Sequence, residues 1–102
     1  MRRLGFIALG AEAMLAGPAF AADHVVNIKG MAFSPASLTI AVGDTVTFVN
    51  GDGVTHTATA GDGAFDTGRL APGKSATVKI AAGTHTYKCS IHASMQGTII
   101  VK

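Results

Sequence analysis

The sequence predicts an all-β fold, a two-sheet sandwich of about seven to eight strands, on three observations. Apolar and polar residues alternate with a period of two in several short runs, as strands with one face in a core do. Gly, Pro, Asp and Asn punctuate those runs, with 13 glycines in 102 residues, which is the turn chemistry that short connected strands need. Beyond residue 21 no stretch keeps a helical period.

Val25 to Lys29 reads as the first strand, and Gly30 to Ala36, carrying Phe33 and Pro35, as irregular. Leu38, Ile40 and Val42 then alternate as one face of a second strand, which Gly43-Asp44 turns. Val46 and Phe48 continue the inward face on the next strand, and Asn50-Gly51-Asp52-Gly53 ends it as a turn. From Thr57 to Leu70 the pattern is weak, and Phe65 and Leu70 are expected to anchor a compact connection. Pro72-Gly73 leads into Ser75 to Ile80, with Ala76, Val78 and Ile80 alternating, and Ala82-Gly83 leads into Thr84 to Cys89. His85, Tyr87 and Cys89 share one face of that strand. Gly97 to Lys102 closes the sheet with Ile99 and Val101 on one side.

The amino terminus has the layout of a secretory leader. Arg2-Arg3 precede an apolar stretch from Leu4 to Gly17, followed by Pro18 and the small-residue site Ala19-Phe20-Ala21. Cleavage after Ala21 is expected, leaving residues 22–102 as one domain with one core. The stretch is short, glycine-rich and interrupted by Glu12, which argues against a stable membrane anchor. Of the net charge of +2, Arg2, Arg3 and Glu12 belong to the leader. The remainder is nearly neutral with scattered lysines, so neither nucleic acid nor an anionic membrane surface is an expected partner.

A single cysteine, Cys89, allows no internal disulfide in what would be an exported domain. It stands in the run Cys89-Ser90-Ile91-His92-Ala93-Ser94-Met95, which places a thiolate, an imidazole and a thioether within seven residues. His56 follows a Gly/Asp-rich connection at the end of a different strand. A cysteine, two histidines and a weak methionine are the donors of a mononuclear blue-copper centre. His56, Cys89, His92 and Met95 are therefore the expected ligands of one copper ion. Such a set suits both oxidation states, so little has to move when an electron arrives. His24 is expected in solvent near the new amino terminus. His85 lies four strand residues from Cys89, about 13 Å along the chain at the usual rise, too far to join the same metal.

The chain resembles the cupredoxins, close to the plastocyanin and amicyanin group of small blue copper proteins. The resemblance rests on Met31-Ala32-Phe33-Ser34-Pro35, on the strand Val42 to Asn50, on the isolated His56, and on the Cys89 to Met95 loop ending in Gly97. Two residues on each side of His92 match the short amicyanin-type loop. The resemblance implies a Greek-key β-sandwich or barrel and a periplasmic one-electron carrier cycling Cu(II)/Cu(I), a monomer meeting its redox partner proteins transiently. Three positions depart from the family pattern. Thr57 follows the first histidine where asparagine is frequent, its hydroxyl being a candidate for the same bonds between loops. Ile91 and Ala93 flank His92 where prolines are common, and Lys88, not an aromatic, precedes Cys89. Electron exit is accordingly expected through His92, amid a weakly charged surface of Met31, Pro35, Phe65, Leu70, Pro72, Ala93 and Ser94.

Other classes fit less well. A structural zinc site wants more thiolates or histidines, and a catalytic zinc is seldom given a thioether. Covalent haem needs a second cysteine. An oxygen-reducing copper enzyme needs further paired histidines, and the chain has four histidines in all; no catalytic residues are expected. Copper storage or delivery without electron transfer remains the alternative, although it favours Met-rich or His-rich segments.

Overall fold

The computed structural model describes residues 21–102; of the expected leader, all but Ala21 lies outside the described residues. Eight strands form: β1 (Asp23–Lys29), β2 (Ala32–Ser34), β3 (Ser37–Ile40), β4 (Thr45–Asn50), β5 (Thr59–Ala60), β6 (Ser75–Lys79), β7 (Gly83–Lys88) and β8 (Gln96–Val101). They make two four-stranded sheets, ordered β2-β1-β4-β6 and β3-β8-β7-β5. Both sheets are mixed, because β1 runs parallel to β4 and β3 parallel to β8 while the other pairs are antiparallel. Among the described residues no helix is long and apolar enough to cross a membrane.

The expected alternation holds in the long strands. Val26 and Ile28 of β1, Val46, Phe48 and Asn50 of β4, His85 and Tyr87 of β7, and Ile99 and Val101 of β8 all turn inward. The centre is aromatic: Tyr87 meets Phe33 at 4.7 Å and Phe48 at 5.4 Å between ring centroids, both edge-on, and Phe65 stacks on Phe48 at 5.7 Å. These geometries suit the ring quadrupoles and add to the burial of large apolar area. Tyr87 pairs across the sheet with Gly97, and the ring lies where any Cβ at that position would be. Glycine at 97 is thus a packing requirement. Burial pushes the Tyr87 phenol pKa up.

Two local expectations need correction. The segment read as irregular after β1 is a hairpin: Lys29 pairs with Ala32, and the two loop residues Gly30 and Met31 have φ of 61° and 59°, as a type I′ turn requires. Methionine rarely adopts that conformation, which hides the turn from sequence reading. Val42 does not extend the inward face of β3. The Asp44 amide bonds back to the Ala41 carbonyl at 3.1 Å, and this turn leaves Val42 64% exposed. The weak region after His56 contains β5, two residues long and too short to show alternation. Phe65 and Leu70 do anchor it from within the core.

Neither of the remaining histidines is free. His24, expected in solvent, is half-buried, with Nε2 2.9 Å from the Asp44 carboxylate. His85 is interior, its Nδ1 2.7 Å from Asp62 Oδ2 and its Nε2 2.8 Å from the Ala81 carbonyl. Both partners only accept, so the ring satisfies them together only as the doubly protonated cation. The Ala81 carbonyl, then the Asp62 carboxylate, raise its pKa above the ordinary 6.5 against the opposing effect of burial. Such a group stabilises the fold fully below 6.5, and the contribution is lost as pH rises through the elevated folded value. Asp62 acts in the other direction. The Ala64 amide and the His85 ring hold its carboxyl below 3.8, so its contribution is present above 3.8 and lost as pH falls through the lower folded value. Melting temperature is expected to be highest between these limits and to decline as pH rises past 6.5. In His85→Gln the alkaline decline should largely disappear; a mutant profile parallel to the parent's would show that His85 is not its source.

Candidate metal centre

Two loops at one end of the sandwich carry the four expected ligands. His56 follows β4 and is fixed by its backbone, its N–H donating to the Leu70 carbonyl at 3.1 Å and its carbonyl accepting from Leu70 N–H at 2.7 Å. Asn50, the buried last residue of β4, shapes the loop between. Its side-chain amide donates to the carbonyls of Val54 at 2.8 Å and Leu70 at 2.7 Å, and its Oδ1 accepts from Asp52 N–H at 2.9 Å. Cys89 follows β7 directly and keeps the inward alternation of His85 and Tyr87. Its amide donates to the Met95 carbonyl at 3.0 Å, and the Met95 amide to the His92 carbonyl at 2.9 Å. The seven-residue loop thus closes on itself before β8 begins.

These constraints bring three donors together. Cys89 Sγ lies 3.8 Å from His56 Nδ1 and 3.7 Å from His92 Nδ1, and all three donor atoms fall within 4.8 Å of one another. The two imidazoles meet at 5.0 Å between centroids. Metal–nitrogen and metal–sulfur bonds of about 2.0 and 2.3 Å, opened to about 120°, separate nitrogen and sulfur by about 3.8 Å. The observed spacings therefore fit a trigonal arrangement of one thiolate and two imidazoles. Met95 is buried at the end of the same loop. The donor set suits copper, whose blue sites take this trio with a weak axial thioether.

The surroundings favour thiolate at Cys89. Burial pushes the thiol up, yet the amide of Thr57 at 3.3 Å, the His56 ring, and the amides of Ile91 and His92 outweigh it, bringing the pKa from 9.0 down to about 6. A metal ligand must be deprotonated, so the pocket already leans toward the binding form. Thr57 performs the bridging expected of its hydroxyl. Its Oγ1 accepts from the Ser90 amide at 2.8 Å and donates to Ser90 Oγ at 3.1 Å, joining the His56 segment to the Cys89 loop.

Sequence reading missed Asp52. Its Oδ2 lies 2.9 Å from His56 Nε2, which places the proton on Nε2 and leaves Nδ1 free to face Cys89. The same carboxylate accepts from the amides of Gly30 at 2.7 Å and Met31 at 2.9 Å, compensating the strained turn there. Those amides, Met31 first, then the His56 ring, hold the Asp52 carboxyl below the usual range. The readable signal was Asn50-Gly51-Asp52, in which the Asn50 side chain caps the Asp52 amide as an Asx-turn does.

The expected contact surface also changes. Phe65 and Leu70 are only 6% and 4% exposed and belong to the core, Leu70 because its backbone holds His56. Met31, Pro35, Pro72, Ala93 and Ser94 are exposed, and Val54 and Ile91 are exposed apolar residues that the sequence did not single out. His56 is fully buried and His92 half-buried. Of the two imidazoles, only His92 reaches the surface.

Comparison with known proteins identifies the architecture. The model of the cupredoxin-like domain matches residues 5–101. The chain belongs to this family. This cupredoxin is 30% identical over 116 residues to chloroplastic plastocyanin of Pisum sativum, an alignment covering 96% of the chain and 69% of that protein. It is 36% identical over 86 residues to plastocyanin of Scenedesmus fuscus, covering 71% of the chain and 88% of its relative. Among solved structures, it superposes on the Cu(I) form of a Met-to-Ala variant of amicyanin with a TM-score of 0.72 at 28% identity, over 83% of this chain and 86% of amicyanin. Another amicyanin Met-to-Ala variant, also Cu(I), gives 0.71 at 27% identity, over 78% and 81% of the two chains.

Proposed function

We propose that this cupredoxin is an exported one-electron carrier, periplasmic once its leader is removed, that binds a single copper through His56, Cys89, His92 and Met95. The observation that carries the reading is the convergence of Cys89 Sγ and two imidazole Nδ1 atoms within 4.8 Å, at spacings that suit a trigonal copper site. Copper, when bound, supplies a one-electron couple between Cu(II) and Cu(I).

The protein's part is to hold its donors still. His56 is braced by Leu70 and Asp52, and Cys89 by the closed loop and the Thr57 amide. Ligands held this way do not rearrange with charge, which keeps reorganisation small. Burial of three of the four residues excludes water from the site. No general acid or base for bond chemistry is needed, and the role is that of a carrier and not a catalyst.

Adding Cu(II) to the purified mature protein tests the site. One equivalent should bind with an intense sulfur-to-copper absorption and a narrow copper hyperfine splitting in paramagnetic resonance. Colourless binding, or several equivalents, would reject the assignment and favour a delivery role. Electrons leave through His92, the imidazole with a path to solvent, toward a redox partner that docks briefly on a small and weakly charged surface. Exchange with a partner is expected to slow in His92→Gly reconstituted with exogenous imidazole. An unchanged rate would place the exit elsewhere.

A further inference from the structure

Asp44 is a carboxylate in an unusual position. It is 8% exposed, at the turn between β3 and β4, and collects three donors: Ala22 N–H to Oδ1 at 2.9 Å, His24 Nε2 to Oδ2 at 2.9 Å, and Ala41 N–H to Oδ2 at 3.2 Å. Among the described residues no lysine or arginine pairs with it. Ala22 is held on its other side as well, its carbonyl accepting from Thr45 N–H at 3.0 Å, and β1 begins at the next residue. The neighbouring Asp23 carboxylate does not compete, being occupied by the hydroxyls of Thr45 and Thr47 at 2.7 to 3.0 Å.

We propose that hydrolysis of the Ala21–Ala22 bond places the new α-ammonium of Ala22 on the buried Asp44 carboxylate, so that removal of the leader supplies a cation the fold is built to receive. The inference rests on the export reading above. In the step, a peptidase directs water at the Ala21 carbonyl carbon, the C–N bond breaks, Ala21 leaves as a carboxylate and the Ala22 nitrogen takes up a proton. No electrons are exchanged. The free α-amino group has an ordinary pKa of about 7.7–8.0, so it is mostly charged at neutral pH. The nitrogen itself need not move: a neutral amide donor becomes an ammonium at a position fixed by Thr45 on one side and Asp44 on the other. One of its hydrogens keeps the Asp44 bond. The exposure of Ala22 leaves the remaining hydrogens to water, so the ion is not stripped of its solvation. The amide bond is already assisted by the carboxylate's charge, and the ammonium adds the attraction of an ion pair to it, a modest gain where one partner is exposed. A cleavage one or two residues later would discard this anchor, and one several residues earlier would leave a neutral amide facing Asp44.

Export of the full precursor and mass measurement of the product gives the first result, a chain expected to begin at Ala22. Melting of that protein is then compared with its N-acetylated form, in which the neutral amide donor of the precursor is restored. The free form should melt higher, by up to about 8 °C. The difference should vanish in Asp44→Asn and persist in Asp23→Asn. If Asp44→Asn does not fold, the Ala22 amine of the native protein should react with an acylating reagent several-fold more slowly than in the unfolded chain. A different first residue, equal melting of the two forms, a difference that survives Asp44→Asn, or equal reactivity would each overturn the proposal. None of these bears on copper, whereas a protein beginning at Ala22 that bound no copper would remove the carrier reading and leave this pairing standing.

Discussion

Cys89→Ser is expected to abolish the blue absorption entirely and to lower copper affinity by more than 100-fold, while the sandwich stays folded. The colour arises from charge transfer out of a thiolate, and a hydroxyl at the same place is not ionised near neutral pH. Loss of a residue that only orients a ligand costs about 10–100-fold in affinity, so removal of the strongest donor should exceed that range. Stability should change little. Serine fills nearly the same volume and its oxygen still accepts from the Thr57 amide, so the apo variant should lose no more than about 1–2 kcal/mol. Cys89 lies in the same buried core as Phe33, Phe48, Phe65 and Tyr87, but the substitution leaves those rings and their contacts in place, which is why metal binding and folding should separate here. Visible titration with Cu(II) and chemical denaturation of the metal-free protein check both halves. A blue serine variant would contradict the thiolate assignment, and an unfolded one would show that the core needs residue 89.

How far these features can be read from sequence depends on whether they are local. Strand alternation is a nearest-neighbour property, so β4, β6, β7 and β8 are legible, and so is the spacing of Cys89, His92 and Met95 along one loop. The hairpin of β1 and β2 is not, because its Gly30-Met31 turn lacks the usual Asn-Gly signal and is held by Asp52 from another segment. Val42 fails for the opposite reason: the alternation continues in the sequence after the backbone has already turned at Ala41. Leu70 reads both as an anchor of its connection and, being apolar beside the site, as a contact residue, and only the anchor holds. Its role lies in backbone bonds to His56 and Asn50, which side-chain identity does not encode. The outer support of the site is the least legible part, since it joins residues that are adjacent only in the folded chain.

Asp52→Ala carries the second large expectation, a 10–100-fold loss of copper affinity with a rise in reduction potential. The carboxylate accepts the His56 Nε2 proton and makes the opposite nitrogen a better donor. A more basic imidazole favours Cu(II) over Cu(I), because the ion of higher charge gains more from it. Removing that support should therefore weaken Cu(II) binding more than Cu(I) binding. For a one-electron couple each tenfold of differential affinity corresponds to about 59 mV, so a rise of roughly that size is expected. Screening should not erase the effect, since the Asp52 side chain is only 13% exposed. The Gly30-Met31 turn loses its acceptors in the same variant, and a fall in melting temperature should accompany the shift. Asp52→Asn separates the two contributions. It can keep an oxygen facing His56 while removing the negative charge, so a potential that rises as far in the asparagine variant as in the alanine variant assigns the effect to charge. If it rises only in alanine, the hydrogen bond that orients His56 carries it. A potential unchanged in both variants would reduce Asp52 to a brace for the Met31 turn.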